Sequence, residues 1–290
     1  MAGSAVSSDH ALQDRLALHT WTLDSTPLVE VLRIVPRAGW NAVELRHADF
    51  TRAFESGVSR LDVIELVRES RVKVATLGAE YGWMFATGSE QRRLFAALAE
   101  TCETANALGC DTIMSATGQG SGSVREAAAA LREAGGIVEA YGLRLAWEYS
   151  SQHERINRLD LARDILAAAG HTRCGLLLDT YHLERSGSGG RGFENVPASD
   201  IFAFQYSDVP ATPAPGGLRP ADRLPPGSGS VRWREVFGLL LEKGYAGYLS
   251  YEAPNPVAWS RPPEAVAREA ASATRALLED ASREWNLRQH

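Results

Sequence analysis

Five polar side chains stand at or just beyond the ends of short apolar runs in the second half of the chain. Glu148 closes LRLAWE, Asp179 closes CGLLLD, Gln205 and Asp208 fall in and after IFAFQYS, and Glu252 closes GYLSYE. Two Glu, one Asp and an amide or imidazole offer oxygen and nitrogen ligands to one divalent cation, Mn2+ or Mg2+ first, with Co2+ or Zn2+ as alternatives. Carboxylates gathered without a cation repel one another, and some of them protonate. Taken singly, each acid has an ordinary explanation. Asp179 could cap a following helix, and Glu148 or Glu252 could pair with a neighbouring arginine. A row of such residues on consecutive runs resists that explanation if the fold brings the runs to one rim. His182, just downstream of Asp179, suits binding of a substrate oxygen or donation of a proton, or else a structural hydrogen bond beneath the site. Arg223, before Pro225 and Gly227, is a candidate substrate contact or a loop ion pair.

The elements that must position these residues are marked by glycine. Gly39, Gly109, Gly142, Gly170 and Gly244 each follow a segment rich in Ala, Leu, Glu and Arg and precede an apolar run. Glycine just past a helix end accepts the left-handed conformation that closes the last turn. Helix, glycine and strand in repetition mean alternating elements and a parallel sheet. Eight strands are expected, near 15–20, 41–45, 72–77, 111–115, 143–148, 174–179, 201–207 and 247–252. Helices are expected at 26–37, 59–70, 89–108, 123–141, 159–169, a short one near 195, 231–243 and 264–281. With no internal break in composition, the pattern predicts a single (β/α)8 TIM barrel over residues 13–282, between tails at 1–12 and 283–290. In a parallel barrel all strand C-termini share one rim, so residues some 100 apart in sequence converge there.

Bulk properties narrow the partners. The 290 residues carry a net charge of −6 with no basic stripe, which argues against nucleic acid. No apolar run approaches the roughly 18 residues of a membrane span, and no signal peptide opens the chain. Cys102, Cys110 and Cys174 are odd in number and lie in apolar surroundings, which reads as reduced thiols in a cytoplasmic protein. No Ser–His–Asp order or reactive-cysteine context points to nucleophilic catalysis.

Several segments together resemble the xylose isomerase-like TIM barrel superfamily, the sugar phosphate isomerase/epimerase group, over about residues 14–280. RLAWEYS resembles the segment bearing its first Glu ligand, GLLLDTYHLERSG its Asp-x-x-His segment, and DIFAFQYSD its third-ligand strand. RLPPGSGSVRW followed by GYAGYLSYEAPN resembles its Arg/Pro-Gly-x-Gly loop and final Glu. The resemblance implies Glu148, Asp179, Gln205 and Glu252 as ligands of one divalent metal, with Glu148 and Glu252 also moving protons. It implies an isomerase or epimerase of a keto-sugar or inosose, working through an enediolate. Inosose isomerases and ketose 3-epimerases are similar throughout, with His where this chain has Gln205. The 3-dehydroshikimate dehydratases carry Gln there, which makes a lyase the alternative. Those dehydratases have an Arg after strand three where this chain reads LGAEYGW, and a Trp-Gly-Arg-His run where it reads Ser-Ser-Gln-His. Arg155 or Arg46 is the candidate replacement cation for a substrate carboxylate. A sugar-binding barrel without turnover is the less favoured reading, and a metal-dependent endonuclease is disfavoured by the acidic charge.

The remaining candidates lie near the ends of the first four strands. His19, Trp21, Glu44, His47, Glu80 and Trp83 stand there, and Trp21 and Trp83 are expected to form an apolar wall against a substrate ring. TGQGSGS (117–123) could offer N–H groups to a phosphate, though a plain connection is the simpler reading. The expected partner is a small polyol, keto-sugar or cyclitol. Exposed helix faces and the 209–229 loop leave room for a homo-oligomer.

Overall fold

A computed structural model of the chain describes residues 12–212 and 221–289. The eight strands are β1 (Leu16–His19), β2 (Ala42–Leu45), β3 (Lys73–Gly78), β4 (Thr112–Ala116), β5 (Arg144–Glu148), β6 (Cys174–Asp179), β7 (Ile201–Tyr206) and β8 (Leu249–Tyr251). They close into one parallel barrel in chain order, with β8 pairing back onto β1 through Leu16, Ala17 and Leu18. Around it run α1 (Leu28–Arg37), α2 (His47–Glu55), α3 (Arg60–Ser70), α4 (Gly88–Leu108), α5 (Val124–Ala140), α6 (Leu159–Ala169), α7 (Thr180–Arg185), α8 (Trp233–Glu242), α9 (Pro256–Trp259) and α10 (Pro263–Gln289). The single TIM barrel expected from the sequence is the observed fold. All five helix-ending glycines have positive φ, between 60° and 90°.

Alternation along each strand divides the core in two. One set of residues, including Leu16, Leu18, Val43, Leu45, Trp147, Leu176, Leu178, Phe204 and Tyr251, packs outward with the helices in the main hydrophobic cluster. The intervening residues form two small clusters of their own, Ala17, Ala42 and Ala75 with Tyr248, and Ala146, Leu177 and Ala203 with Met114 and Phe202. Successive side chains of a strand point to opposite faces, so these small clusters fill the barrel lumen. One step further along the same face of each strand stand His19, Glu44, Glu148, Asp179 and Gln205. Glu252 continues β8, its N–H donating to the Tyr206 carbonyl at 3.0 Å.

Four helices depart from the expectation, one of them the single turn α9, which had no expected counterpart. The segment 47–55 forms α2, although only Asp49 and Phe50 of it are buried. Only Arg46 separates it from β2, so no glycine or turn marks where it starts. α7 starts immediately after β6, and near residue 195 there is only a three-residue 3-10 turn, Ala198–Asp200. α10 continues to Gln289, so the expected C-terminal tail from 283 is helical through that residue. Ion pairs of Arg288 with Glu284 at 2.8 Å and with Glu242 on α8 at 3.9 Å accompany this extension. The expected N-terminal tail lies outside the described residues up to residue 11, and Leu12 is already buried in the core.

Among the described residues no helix is long and apolar enough to cross a membrane. All three cysteines are free and buried, and burial pushes each thiol up to about 12. The loop 117–123 is a built connection. Ser123 caps α5, its hydroxyl accepting from the Glu126 N–H at 3.2 Å while the Glu126 carboxylate accepts the Ser123 N–H at 2.7 Å. Gly118, at φ 76°, lies against the backbone of Gly82 in the loop after β3; a Cβ there would meet Gly82 N at 2.6 Å. Gly118→Ala is therefore expected to cost about 1–3 kcal/mol, read as a lower urea midpoint at unchanged slope. A wild-type midpoint would show that these two loops yield freely.

Candidate metal centre

The C-terminal ends of β5, β6 and β7 bring Glu148, Asp179 and Gln205 together, with Asp179 and Gln205 as register partners across β6 and β7. All are buried, Gln205 completely. Ligand atoms of Glu148, Asp179 and His182 lie within 4.8 Å of one another. Three buried oxygens in this set, Glu148 Oε1, Asp179 Oδ2 and Gln205 Oε1, accept no hydrogen bond. Buried acceptors without a hydrogen bond are rare and costly, and three at adjacent strand ends form a donor set that suits a divalent cation. These residues fit the metal the sequence implies.

Asp179 caps a helix with one oxygen and keeps the other free of hydrogen bonds. Its Oδ1 caps α7 by accepting the Tyr181 N–H at 2.9 Å, which turns Oδ2 toward the cluster. Arg223 lies beside it, Nη1 at 2.6 Å from Asp179 Oδ2 and 2.8 Å from Glu252 Oε2. The contact with Asp179 is a charge contact without hydrogen-bond alignment, whereas Arg223 donates to both the carboxylate and the carbonyl of Glu252. Burial works against the guanidinium's charge, but Asp179, Glu252 and Glu148 together hold it protonated. Its face covers the Tyr181 ring at 4.8 Å, and its Nε is buried without a partner.

Asp208, an open candidate for the cation, is instead the anchor of the Arg223 loop. Its backbone exchanges two hydrogen bonds with Leu224 at 2.8 and 3.0 Å. Its carboxylate accepts from Gly227 N, Val231 N and Trp233 Nε1 at 2.8–2.9 Å. That leaves it no lone pair facing the cluster.

His182 is oriented by the loop after β5. The Ser151 N–H donates to Nδ1 at 3.2 Å, so the neutral ring carries its proton on Nε2. Nε2 faces Glu148 Oε1 at 3.5 Å and Asp179 Oδ2 at 4.0 Å. Burial lowers its pKa to about 4, keeping it a neutral donor. Glu148 is pushed the other way, well above the usual carboxylate range, by burial and then by Glu252 and Asp179.

Two lumen residues join the site that were expected only near strand ends. His19 Nε2 lies 3.4 Å from Glu252 Oε1, while its Nδ1 accepts from Trp21 N at 3.1 Å. Glu44 accepts from Gln205 Nε2 at 2.8 Å, and burial raises its pKa to about 7. The signal for both was their spacing of two residues from Ala17 and Ala42 on the lumen face.

Other candidates fall elsewhere. Trp83 is fully buried, donates from Nε1 to Ser115 Oγ at 2.9 Å and packs on Phe95; it is core, not an open substrate wall. Trp21 is half-buried at the end of β1. Arg155 is exposed, in a turn whose N–H groups at 155 and 156 donate to His153 Nδ1. Arg46 is committed to Asp24 at 2.8 Å, Asp49 at 3.1 Å and Thr20, and so is tied to the segments that follow β1 and β2.

A family model described as the xylose isomerase-like TIM barrel matches residues 32–277. The chain belongs to that family. An inosose isomerase from Bacillus velezensis is 24% identical over 264 residues, covering 89% of this chain and 94% of the relative. A 3-dehydroshikimate dehydratase from Pseudomonas aeruginosa is 27% identical over 133 residues, covering 43% of this chain and 20% of that enzyme. Among solved folds, the IOLI protein with a bound zinc atom superposes with a TM-score of 0.79 at 21% identity, over 93% of this chain and 99% of its own. An L-ribulose 3-epimerase gives 0.74 at 18%, over 95% and 98%. Relatives in this family thus include isomerases, epimerases and a dehydratase.

The pairing around Arg223 yields a test on stability. In the presence of a chelator, Arg223→Met leaves Asp179 and Glu252 buried without their cation and is expected to lower the unfolding free energy by about 3–5 kcal/mol in urea melts. An unchanged free energy would show that the guanidinium does not balance these carboxylates.

Proposed function

We propose that this protein is a divalent-metal-dependent isomerase or epimerase of a small polyhydroxylated carbonyl compound, a keto-sugar or inosose. The observation that carries the reading is the trio of buried oxygens on Glu148, Asp179 and Gln205 that accept no hydrogen bond, with Asp179 Oδ2 balanced by charge from Arg223. These residues would hold the ion together with Glu252, and Mn2+ or Mg2+ best matches an all-oxygen set. Zn2+ or Co2+ remains compatible, and the zinc-bound neighbour of the same fold supports testing it. A bound ion supplies polarisation of a substrate carbonyl and its adjacent hydroxyl, which lowers the cost of charge developing on oxygen.

The protein's own groups divide the remaining work. Glu252, flanked by Arg223 and His19, is assigned to removing a proton from the carbon beside the carbonyl. Glu148 is assigned to returning one. Delivery to the opposite face of the same carbon gives an epimer, and delivery to the neighbouring carbon gives an isomer. His182 Nε2–H and Arg223 Nε are the donors available to substrate oxygens. Three buried reduced thiols fit a cytoplasmic setting.

A lyase with the same residues is the second reading. It is favoured by Gln205 in the third-ligand position and by the partial match to the dehydratase. Incubation of the Mn2+-loaded protein with keto-sugars and inososes in D2O separates the two. Deuterium in recovered sugar without an ultraviolet chromophore supports the isomerase, and an enone or aromatic chromophore supports the lyase. A protein that binds no Mn2+, Mg2+, Co2+ or Zn2+ and is indifferent to chelators would refute both and leave a sugar-binding barrel. Glu252→Gln keeps the side chain's shape but removes the base, and turnover is expected to fall about 10²–10⁴-fold. Near-wild-type turnover would refute the assigned role.

A further inference from the structure

We propose that Glu44 is a positioning residue that sets which end of the Gln205 amide faces the metal site, an inference that rests on the metal-dependent reading above. Gln205 is completely buried. Its nitrogen donates to Glu44 Oε1 at 2.8 Å, and its oxygen is left without a partner. The two ends of a carboxamide are nearly identical in shape, so packing alone does not choose between them. Near Glu148 and Asp179 the electrostatic preference runs the wrong way. An unrestrained amide would turn its two N–H donors toward those carboxylates and present nitrogen, which has no lone pair to give, to a cation.

Glu44 supplies the opposing demand. It reaches Gln205 from across the lumen, 161 residues away in sequence, and its Oε1 accepts the Gln205 N–H. With Gln205 nitrogen committed to Glu44, Gln205 oxygen is committed to the ion. Glu44 is itself 1% exposed, with the Ser250 and Thr76 hydroxyls close beside it but short of good hydrogen-bond geometry. On its other side lies a cavity opening at the N-terminal end of the barrel, lined by Lys73, Arg144, Tyr245 and Tyr248. The Glu44–Gln205 hydrogen bond therefore stands between that cavity and the metal site.

Glu44→Gln keeps size and hydrogen-bonding capacity but can either accept from Gln205 or donate to it, so the selection disappears. Titration of Mn2+ into the purified full-length chain by calorimetry is expected to show affinity weakened about 10–100-fold, while the melting temperature in chelator stays at the wild-type value. A histidine at 205 has no equivalent flip, because its tautomer adjusts to whichever ring nitrogen donates. In the Gln205→His background, Glu44→Gln is therefore expected to weaken Mn2+ by less than about threefold. Wild-type affinity in Glu44→Gln, or an equal loss in both backgrounds, would overturn the proposal. If Glu44→Gln fails to fold, a structure of the wild-type chain with Mn2+ decides: Gln205 oxygen on the ion and nitrogen on Glu44 is expected, and any other arrangement overturns it. Wild-type protein that binds no Mn2+ would remove the metal reading itself, an outcome separate from equal binding by the variant.

Discussion

Four carboxylates, those of Glu44, Glu148, Asp179 and Glu252, are each less than one-tenth exposed at one mouth of the barrel, with Arg223 as the buried cation among them. Each buried ion costs several kcal/mol unless paired, and like charges at this range add to that cost. The imbalance accounts for much of what surrounds it. Glu44 and Glu148 are pushed toward holding protons, His182 is kept neutral, and Arg223 is held protonated in a place where burial opposes its charge. A divalent cation settles the imbalance in one step. The oxygens that accept no hydrogen bond are the ones it would meet.

The barrel makes such a cluster affordable by building it from the ends of a rigid sheet. Small residues below the mouth, Ala17, Ala42, Ala146 and Ala203, let the next residue on each strand project inward to a shared layer. The imidazoles follow a common rule. In His19 and His182 a backbone N–H occupies Nδ1, so each presents Nε2–H to a carboxylate. A proton's position on either ring is thus set by the main chain, which the fold fixes, and not by the side chains the ring serves.

Much of this was legible in the sequence. Runs such as LLLD and LAWE announce strands buried on both faces, and the polar residue ending each announces the rim. The helix-ending glycines gave the order of elements. What escaped has physical causes. α2 follows β2 with only Arg46 between, and α7 begins on the same Asp179 that ends β6, so no connecting signal separates either helix from its strand. Cap and ligand looked like rival roles for Asp179 because a sequence shows one residue where the structure has two oxygens, of which the cap takes only one. Trp83 looked like a rim residue because aromatic side chains suit a sugar surface and a core equally well. Glu44 and Asp208 exchanged importance for a subtler reason. Proximity to a strand end says nothing about which lone pairs are already in use, and Asp208 spends its own on Gly227, Val231 and Trp233.

That use of Asp208 bears on how the protein could change over time. The chain that leaves β7 returns to Asp208 through paired hydrogen bonds with Leu224, one residue after Arg223. The excursion between them is closed at its base like a drawstring. The arginine's address is written in those two backbone bonds, in the Asp208 carboxylate and in Asn255, which donates to the Arg223 carbonyl at 2.9 Å. Any change in what enters the barrel mouth that spares these bonds leaves the charge arrangement beneath in register.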